Sequence, residues 1–411
     1  MGGNNLLFSL LICFSLNIFS GFHQNLEAKP NPIETIKLQG VKKELSKKRL
    51  WRLLLHYKRN SLGGWESEVD NSNFFLHKEG KTNPEKELLA NIEYFFEGNV
   101  DSNQKKICKF PARYKWITRQ LNIGNQGLSI SRCRSFLEWR KTLKAGSVSL
   151  IYASHYLNNP ASVFGHTFLK LNRFSSRSNL TSLDQTLNYS AERGNNSLFE
   201  TIILGSAGGL QGEFSISPFF LKLRKYSDIE NRELWEYELN LDATQIDRLV
   251  EHLWELKNAW FDYYFFYENC SYHILSLLEI ANPKLSLRDD FTFVTVPLDT
   301  VQLISKQDKF IKNITYYPPL RTQFVKKKVS LASGELIAFQ NLIKNKYIDD
   351  FFRELTDQEK ATVLDAAFTF FKYKKFSSHQ NINLEEEKFM RKLMLARDQL
   401  KEHFVNKVFG V

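Results

Sequence analysis

Beyond residue 22 the sequence has no window of 18 uncharged apolar residues. The nearest, Ile202 to Leu221, is rich in glycine and interrupted by Gln211 and Glu213, which speaks against a polytopic membrane protein. There is no internal repeat and no low-complexity tract. No G-x-S-x-G occurs, so a serine nucleophile on a strand-to-helix elbow has no support, and Gly205 to Gly212 (GSAGGLQG) lacks the GK[ST] of a phosphate loop. Methionine (3) and cysteine (4) are scarce beside phenylalanine (34) and tyrosine (16), a bias that suits strand-rich cores and lipid-facing pockets alike. With 43% apolar and 25% charged residues, the composition is globular rather than disordered or collagenous, and 411 residues suggest two or three packed units. The charge balance, 56 − 45 = +11, gives a surface that attracts anions such as phosphate head groups or nucleic acid.

The N-terminus sets the compartment. From Leu6 to Phe22 runs an uncharged stretch of 17 residues, LLFSLLICFSLNIFSGF, which matches the apolar region of a secretory signal and is short for a spanning helix. Residues 1–28 are expected to be an export signal ending at Ala28. No Lys or Arg precedes Leu6, and Leu26 with Ala28 is a poor small-x-small site, which leaves an uncleaved anchor as the alternative. Export takes the chain away from nucleic acid as a partner and leaves it soluble or peripheral in an oxidising compartment. There Cys13 leaves with the signal, Cys108 and Cys133 can pair across 25 positions, and Cys270 remains as a lone thiol.

Three further regions follow. Residues 29–103 read as helical. In the first stretch, Thr35 to Arg59, Leu45, Leu50, Trp51, Leu54 and Leu55 share a face, and eight basic residues crowd Lys42 to Arg59. Such a helix either lies on an anionic membrane or presents a solvated basic face of an ordinary domain. A second helix is expected over Asn83–Phe96. Residues 104–317 read as an α+β domain, with strands at Val148–Ala153, Val163–Leu171, Thr186–Ala191, Thr201–Gly205 and Glu233–Leu239, and helices at Ala243–Leu256 and from Ser271. Phe214 to Asn240 reads as a loop and short helix leading into an antiparallel strand. Residues 318–411, after the Pro318-Pro319 break, read as helices over Ser333–Asn345, Ile348–Leu355, Gln358–Lys372 and Leu384–Val405.

Two segments carry candidate chemistry. In ASHYLNNPASVFGHTFLKL, Ala153 to Leu171, Asn158, Asn159 and Pro160 supply turn residues, and His166 shares a strand face with Phe164 and Phe168. In YYFFYENCSYHILSLLEIANP, Tyr263 to Pro283, Cys270 opens an apolar-periodic helix. A thiol in a first helical turn meets the positive end of the macrodipole and free N–H groups, which favour thiolate and can hold an oxyanion. A thiolate nucleophile needs an imidazole, and a sheet strand holds one rigidly; His166 and Cys270 fit that division. The competitors are weaker: His155, 11 residues before His166; His273, on the thiol's own helix; and a zinc site built on Cys270-x-x-His273, which lacks a second close ligand pair.

CKFPARYKW at Cys108–Trp116, Cys133, SHYLNNPASVFGHTFLKL, ENRELWEYELNL, YYFFYENCSYHILSLLE and VPLDTV resemble, in that order, the bacterial Lnb-type lipoprotein N-acyltransferase family. The likeness spans about Cys108 to Tyr317. The His-before-Cys order also resembles the permuted papain-like superfamily of acyltransferases, cell-wall amidases and peptidases. The resemblance implies a permuted papain-like catalytic domain with an antiparallel sheet, placed in the bacterial periplasm or on the envelope membrane surface. It implies that Cys270 takes an acyl chain from a phospholipid as a thioester, that His166 serves as base and then acid, and that the α-amine of a diacylated lipoprotein's N-terminal cysteine accepts the chain, with no cofactor or metal. The third residue stays open among Asn188, Ser190 and Glu192, with Asn188 preferred. The alternative enzyme is a cysteine peptidase or amidase acting on cell-wall or protein amide bonds. The alternative outside enzymology is an envelope binding module with structural cysteines.

Overall fold

The computed structural model describes residues 31–409 except 125–126, 157–162, 174–182, 192–197, 292–293, 348–349 and 378–383. The expected signal at 1–28, the turn at Asn158–Pro160 and Glu192 lie outside the described residues. The N-terminal part holds α1 (Pro32–Lys42), α2 (Arg49–Leu54), a hairpin of β1 (Tyr57–Arg59) and β2 (Trp65–Ser67), then α3 (Pro84–Phe96), α4 (Val100–Lys109), α5 (Pro111–Leu121) and α6 (Arg134–Leu143). The central part holds β3 (Ala145–Ala153), β4 (His166–Arg173), β5 (Gln185–Ala191), α7 (Leu198–Ala207), β6 (Leu210–Pro218), α8 (Phe219–Leu223), β7 (Leu234–Leu239), α9 (Ala243–Glu255), β8 (Phe261–Tyr263), α10 (Cys270–Ala281), α11 (Pro297–Ser305) and β9 (Ile311–Tyr317). Helices close the chain: α12 (Leu320–Val329), α13 (Ser333–Asn345), α14 (Asp350–Glu354), α15 (Asp357–Ser377) and α16 (Leu384–Phe409).

The expected α+β class holds. Seven strands form one antiparallel sheet in the order β8-β6-β5-β4-β3-β7-β9. Strand alternation divides its central residues between two cores. Val148, Leu150, Leu169, Leu171, Leu187 and Tyr189 face the larger core with α9 and α10, whereas Ile151, Ala153, Phe168 and Leu234 face a smaller cluster closed by Phe219 and Tyr226. The larger core draws its residues from Leu45 to Phe310, so the N-terminal helices and the sheet share it, and α4 spans residue 103. The C-terminal helices bury a cluster of their own, from Ala338 to Leu393.

Three sequence expectations need correction. The stretch Thr35–Arg59 is not one helix. Glu44 and His56 adopt left-handed backbone at φ 51° and 52°, so α1 and α2 are separate and Tyr57–Arg59 turns into a strand. The apolar stripe is spent inside the protein, with Trp51 fully buried and stacked on Trp116 at 5.4 Å, and so is not free to lie on a membrane. Thr201–Gly205 is part of helix α7, not a strand. Finally, Phe214–Pro218 belongs to strand β6, and the short helix after it, α8, continues as a π-helical turn over Arg224–Ile229. No helix of the described residues is long and apolar enough to cross a membrane.

Candidate active site

Cys270 is the first residue of α10, and the sequence reason is the asparagine before it. Asn269 in extended backbone accepts hydrogen bonds at Oδ1 from the Ser271 and Tyr272 amides, ending the preceding chain and starting the helix. Its Nδ2 donates to the Phe265 and Thr295 carbonyls at 3.0 and 2.7 Å, which fixes the cap between two loops. Cys108 and Cys133 form a disulfide, whereas Cys270 is free and buried, 6% exposed.

At Cys270 burial works against the thiolate that the helix position favours. Burial pushes its pKa up, and the opposing donors, the Thr167 amide, the Ser271 hydroxyl and amide and its own amide, do not recover the loss. Desolvation therefore outweighs these donors and favours the protonated sulfur at neutral pH.

His166 begins β4 and projects to the face opposite Thr167, whose Oγ1 lies 2.9 Å from Ser271 Oγ on α10. Its Nε2 is 2.6 Å from Asn188 Oδ1 on β5. A carbamoyl oxygen only accepts, so the proton sits on Nε2 and Nδ1 is the basic nitrogen. The ring packs on Phe168 and Tyr226, with centroids 5.9 and 6.0 Å away. Burial, opposed by Asn188 and reinforced by Lys222 and Arg232, holds the imidazole down at about 3. Thiol and imidazole are thus both neutral at rest.

Among the described residues no hydrogen bond joins His166 to Cys270, but they share surroundings. Gly165 lines the cavity beside Cys270, the Thr167 amide reaches its sulfur, and buried Tyr226, which packs on His166, also senses the charge of Cys270. That cavity, about 180 Å³, has an apolar wall of Phe164, Phe265, Phe266, Val294, Val296 and Pro297. Phe164, Phe266 and Val294 are exposed at its mouth.

The other candidates sit elsewhere. His155 is exposed after β3. His273 is fully buried among Tyr189 and Phe261, with centroids at 4.1 and 4.6 Å, and among the described residues both its ring nitrogens lack a hydrogen-bond partner. Ser190 is exposed at the end of β5. Sequence reasoning missed Tyr226 and Lys222. Both lie in the basic, tyrosine-bearing run SPFFLKLRKYSD, which gives no sign of what it faces. Lys222 is pushed down to about 8 by burial and by Lys225.

A free thiol on a helix N-terminus beside an apolar cavity, with a histidine held by an asparagine on the neighbouring sheet, describes a thiol-bearing α+β domain. Residues 135–307, less than half of the chain, match the Lnb N-terminal periplasmic domain. Residues 43–120 match a domain of unknown function, DUF7843. No curated protein and no solved structure matches.

Proposed function

We propose that the chain is an envelope cysteine acyltransferase of permuted papain-like design that moves an acyl chain from a phospholipid to the N-terminal α-amine of a diacylated lipoprotein. What carries the reading is the unpaired thiol of Cys270 at the N-terminus of α10, bordered by an apolar cavity; His166, whose Nε2 is 2.6 Å from Asn188, shares Tyr226 as a neighbour with it and is the candidate base. The apolar wall suits an acyl chain, and the match of residues 135–307 to a periplasmic domain supports a setting in which such lipids and lipoproteins occur.

In the proposed reaction, His166 Nδ1 takes the Cys270 proton as the sulfur attacks the ester carbonyl. The oxyanion meets the Cys270 amide, whose position at the helix start leaves it without an intrahelical acceptor. Collapse breaks the ester C–O bond, and the lysophospholipid oxygen leaves with the proton from His166. The lipoprotein amine then attacks the thioester, His166 takes the amine's proton, the C–S bond breaks, and the proton returns to sulfur. Because both groups start neutral, proton transfer accompanies attack, with no resting thiolate–imidazolium pair.

The test is expression in a strain lacking its own N-terminal acylation enzyme, with mass spectrometry of a lipoprotein N-terminus. The acylated product is expected with the native chain and not with Cys270→Ala. Acylation that survives Cys270→Ala refutes the nucleophile, and release of free fatty acid or cleaved muropeptides in place of the acylated amine assigns the site to hydrolysis.

A further inference from the structure

A second cavity of about 370 Å³, sharing no lining residue with the cleft at Cys270, lies between α2, the β1–β2 hairpin and the Glu279–Asp289 stretch. Its wall has six cationic side chains, Lys47, Arg49, Arg52, Lys58, Arg59 and Arg288, against the carboxylates Glu279 and Asp289. Several of the cations are already satisfied. Arg288 pairs with Glu68 and Glu279 at 2.8 and 3.0 Å, Lys58 pairs with Glu268, and Lys47 pairs with Glu44. Arg49 donates to the Pro283 and Leu285 carbonyls, with Glu279 at 3.6 Å.

Arg52 and Arg59 differ. Both guanidiniums stack on Trp65, 4.0 and 4.1 Å from its ring centroid, and among the described residues neither has an ion-pair partner. Arg59 has only the Gly63 carbonyl, and the Nε of Arg52 is buried without any acceptor. Two like charges on one indole with an unmet buried N–H are costly unless an anion joins them. Burial and the charge of Arg59 lower the Arg52 pKa, in keeping with that cost. Two uncompensated guanidiniums with Arg49 beside them call for a ligand carrying about two negative charges and several acceptor oxygens, which a phosphoryl group supplies and a single carboxylate does not.

We infer that this cavity is a binding site for a phosphoryl group, presented by a lipid headgroup or as free phosphate. The site goes beyond the acyl-transfer reading. Its cationic part, Lys47 to Arg59 with Trp65, lies within the 43–120 domain of unknown function and gives that domain a role. Its far wall is the outer side of α10, where Tyr272 donates to Glu68, the same carboxylate that holds Arg288.

The experiment uses the full chain carrying Cys270→Ala, so that lipid is bound but not consumed and a failure of acyl transfer does not bear on the result. Inorganic phosphate is titrated by calorimetry, and vesicles of phosphatidylglycerol are tested by flotation, each against R52Q/R59Q, R59Q and R52K/R59K. Binding is expected to weaken about tenfold or more in R52Q/R59Q and to return substantially in R52K/R59K. R59Q changes an exposed side chain and keeps the test valid if the double variant melts early. Phosphate binding identifies a free anion and vesicle binding alone a headgroup, and both support the site. Absence of binding in both arms, or undiminished binding in R52Q/R59Q and R59Q, overturns it.

Discussion

Asn188→Ala removes the acceptor of a half-buried imidazole N–H without touching the thiol. His166 Nε2 then has no partner for a hydrogen bond now 2.6 Å long. Stranding a buried donor costs about 1–3 kcal/mol, and losing the same amount in the transition state lowers kcat by about 5- to 150-fold. The fall is smaller than that for replacing His166, because the base survives and only its orientation and tautomer are lost. Asn188 acts as a positioning residue, so its test needs a readout that packing alone does not move. Asn188→Asp is that test. A carboxylate against Nε2 raises the imidazole pKa from its present value of about 3, and the acid limb of the pH–rate profile moves to higher pH. The assay is transfer from phospholipid to a diacylated lipopeptide followed by mass spectrometry over a pH series, with thermal melts of each variant alongside. Unchanged kcat in Asn188→Ala, or an Asn188→Asp profile superimposable on the native one at equal stability, refutes the role.

Stability should fall on the acid side of neutrality. Burial depresses His56, His166, His252 and His273, so between the native and unfolded pKa values the unfolded chain binds more protons, and stability is lost as pH falls below about 6.5. His166 alone accounts for ~2 kcal/mol at pH 5 from its values of 6.5 unfolded and about 3 folded, and His56 and His252, with Nε2 atoms 3.0 Å apart, add repulsion if both are protonated. Urea melts at pH 7.5 and pH 5 measure this, and equal midpoints contradict it. Removal of the Cys108–Cys133 disulfide by a double alanine substitution should cost about 3 kcal/mol for a closed loop of this length, read as a lower urea midpoint. An unchanged midpoint argues against the loop-closure account.

The site was more legible than the path of the chain to it. Cys270 opening an apolar-periodic helix and His166 on a strand are local patterns, and the structure has Cys270 as the first residue of α10 and His166 as the first of β4. C-terminal helix α13 matches its expected bounds of Ser333–Asn345, since its polar and apolar positions recur cleanly. The errors have physical causes. Thr201–Gly205 is a short apolar run without a polar face, where strand and buried helix look alike; the fold makes it α7, and Gly205 in that helix lets the Phe265 ring approach where a Cβ would collide. The breaks at Glu44 and His56 fall on residues that carry no turn signature, so no glycine marked the end of the expected helix. The burial that opposes ionisation of Cys270 is not visible in sequence, whereas the helix terminus that favours it is. Tyr226, Lys222 and the Arg52–Trp65–Arg59 stack depend on such neighbours too.

The separate cluster of the C-terminal helices bears on the thiol site indirectly. The π-helical turn that carries Tyr226 is tied to α15 by Lys372–Asp228 at 2.8 Å and by Arg224 over Phe376 at 5.9 Å, and α15 belongs to the bundle with its own core. A unit with its own core can open before the sheet does. Such an opening would first unclamp the turn that walls off the imidazole, admit water to His166 and raise its basicity while β4 and α10 stay in register. Loosening of the bundle would thus be felt first at the turn that packs on His166, ahead of the strand and helix that carry the candidate residues.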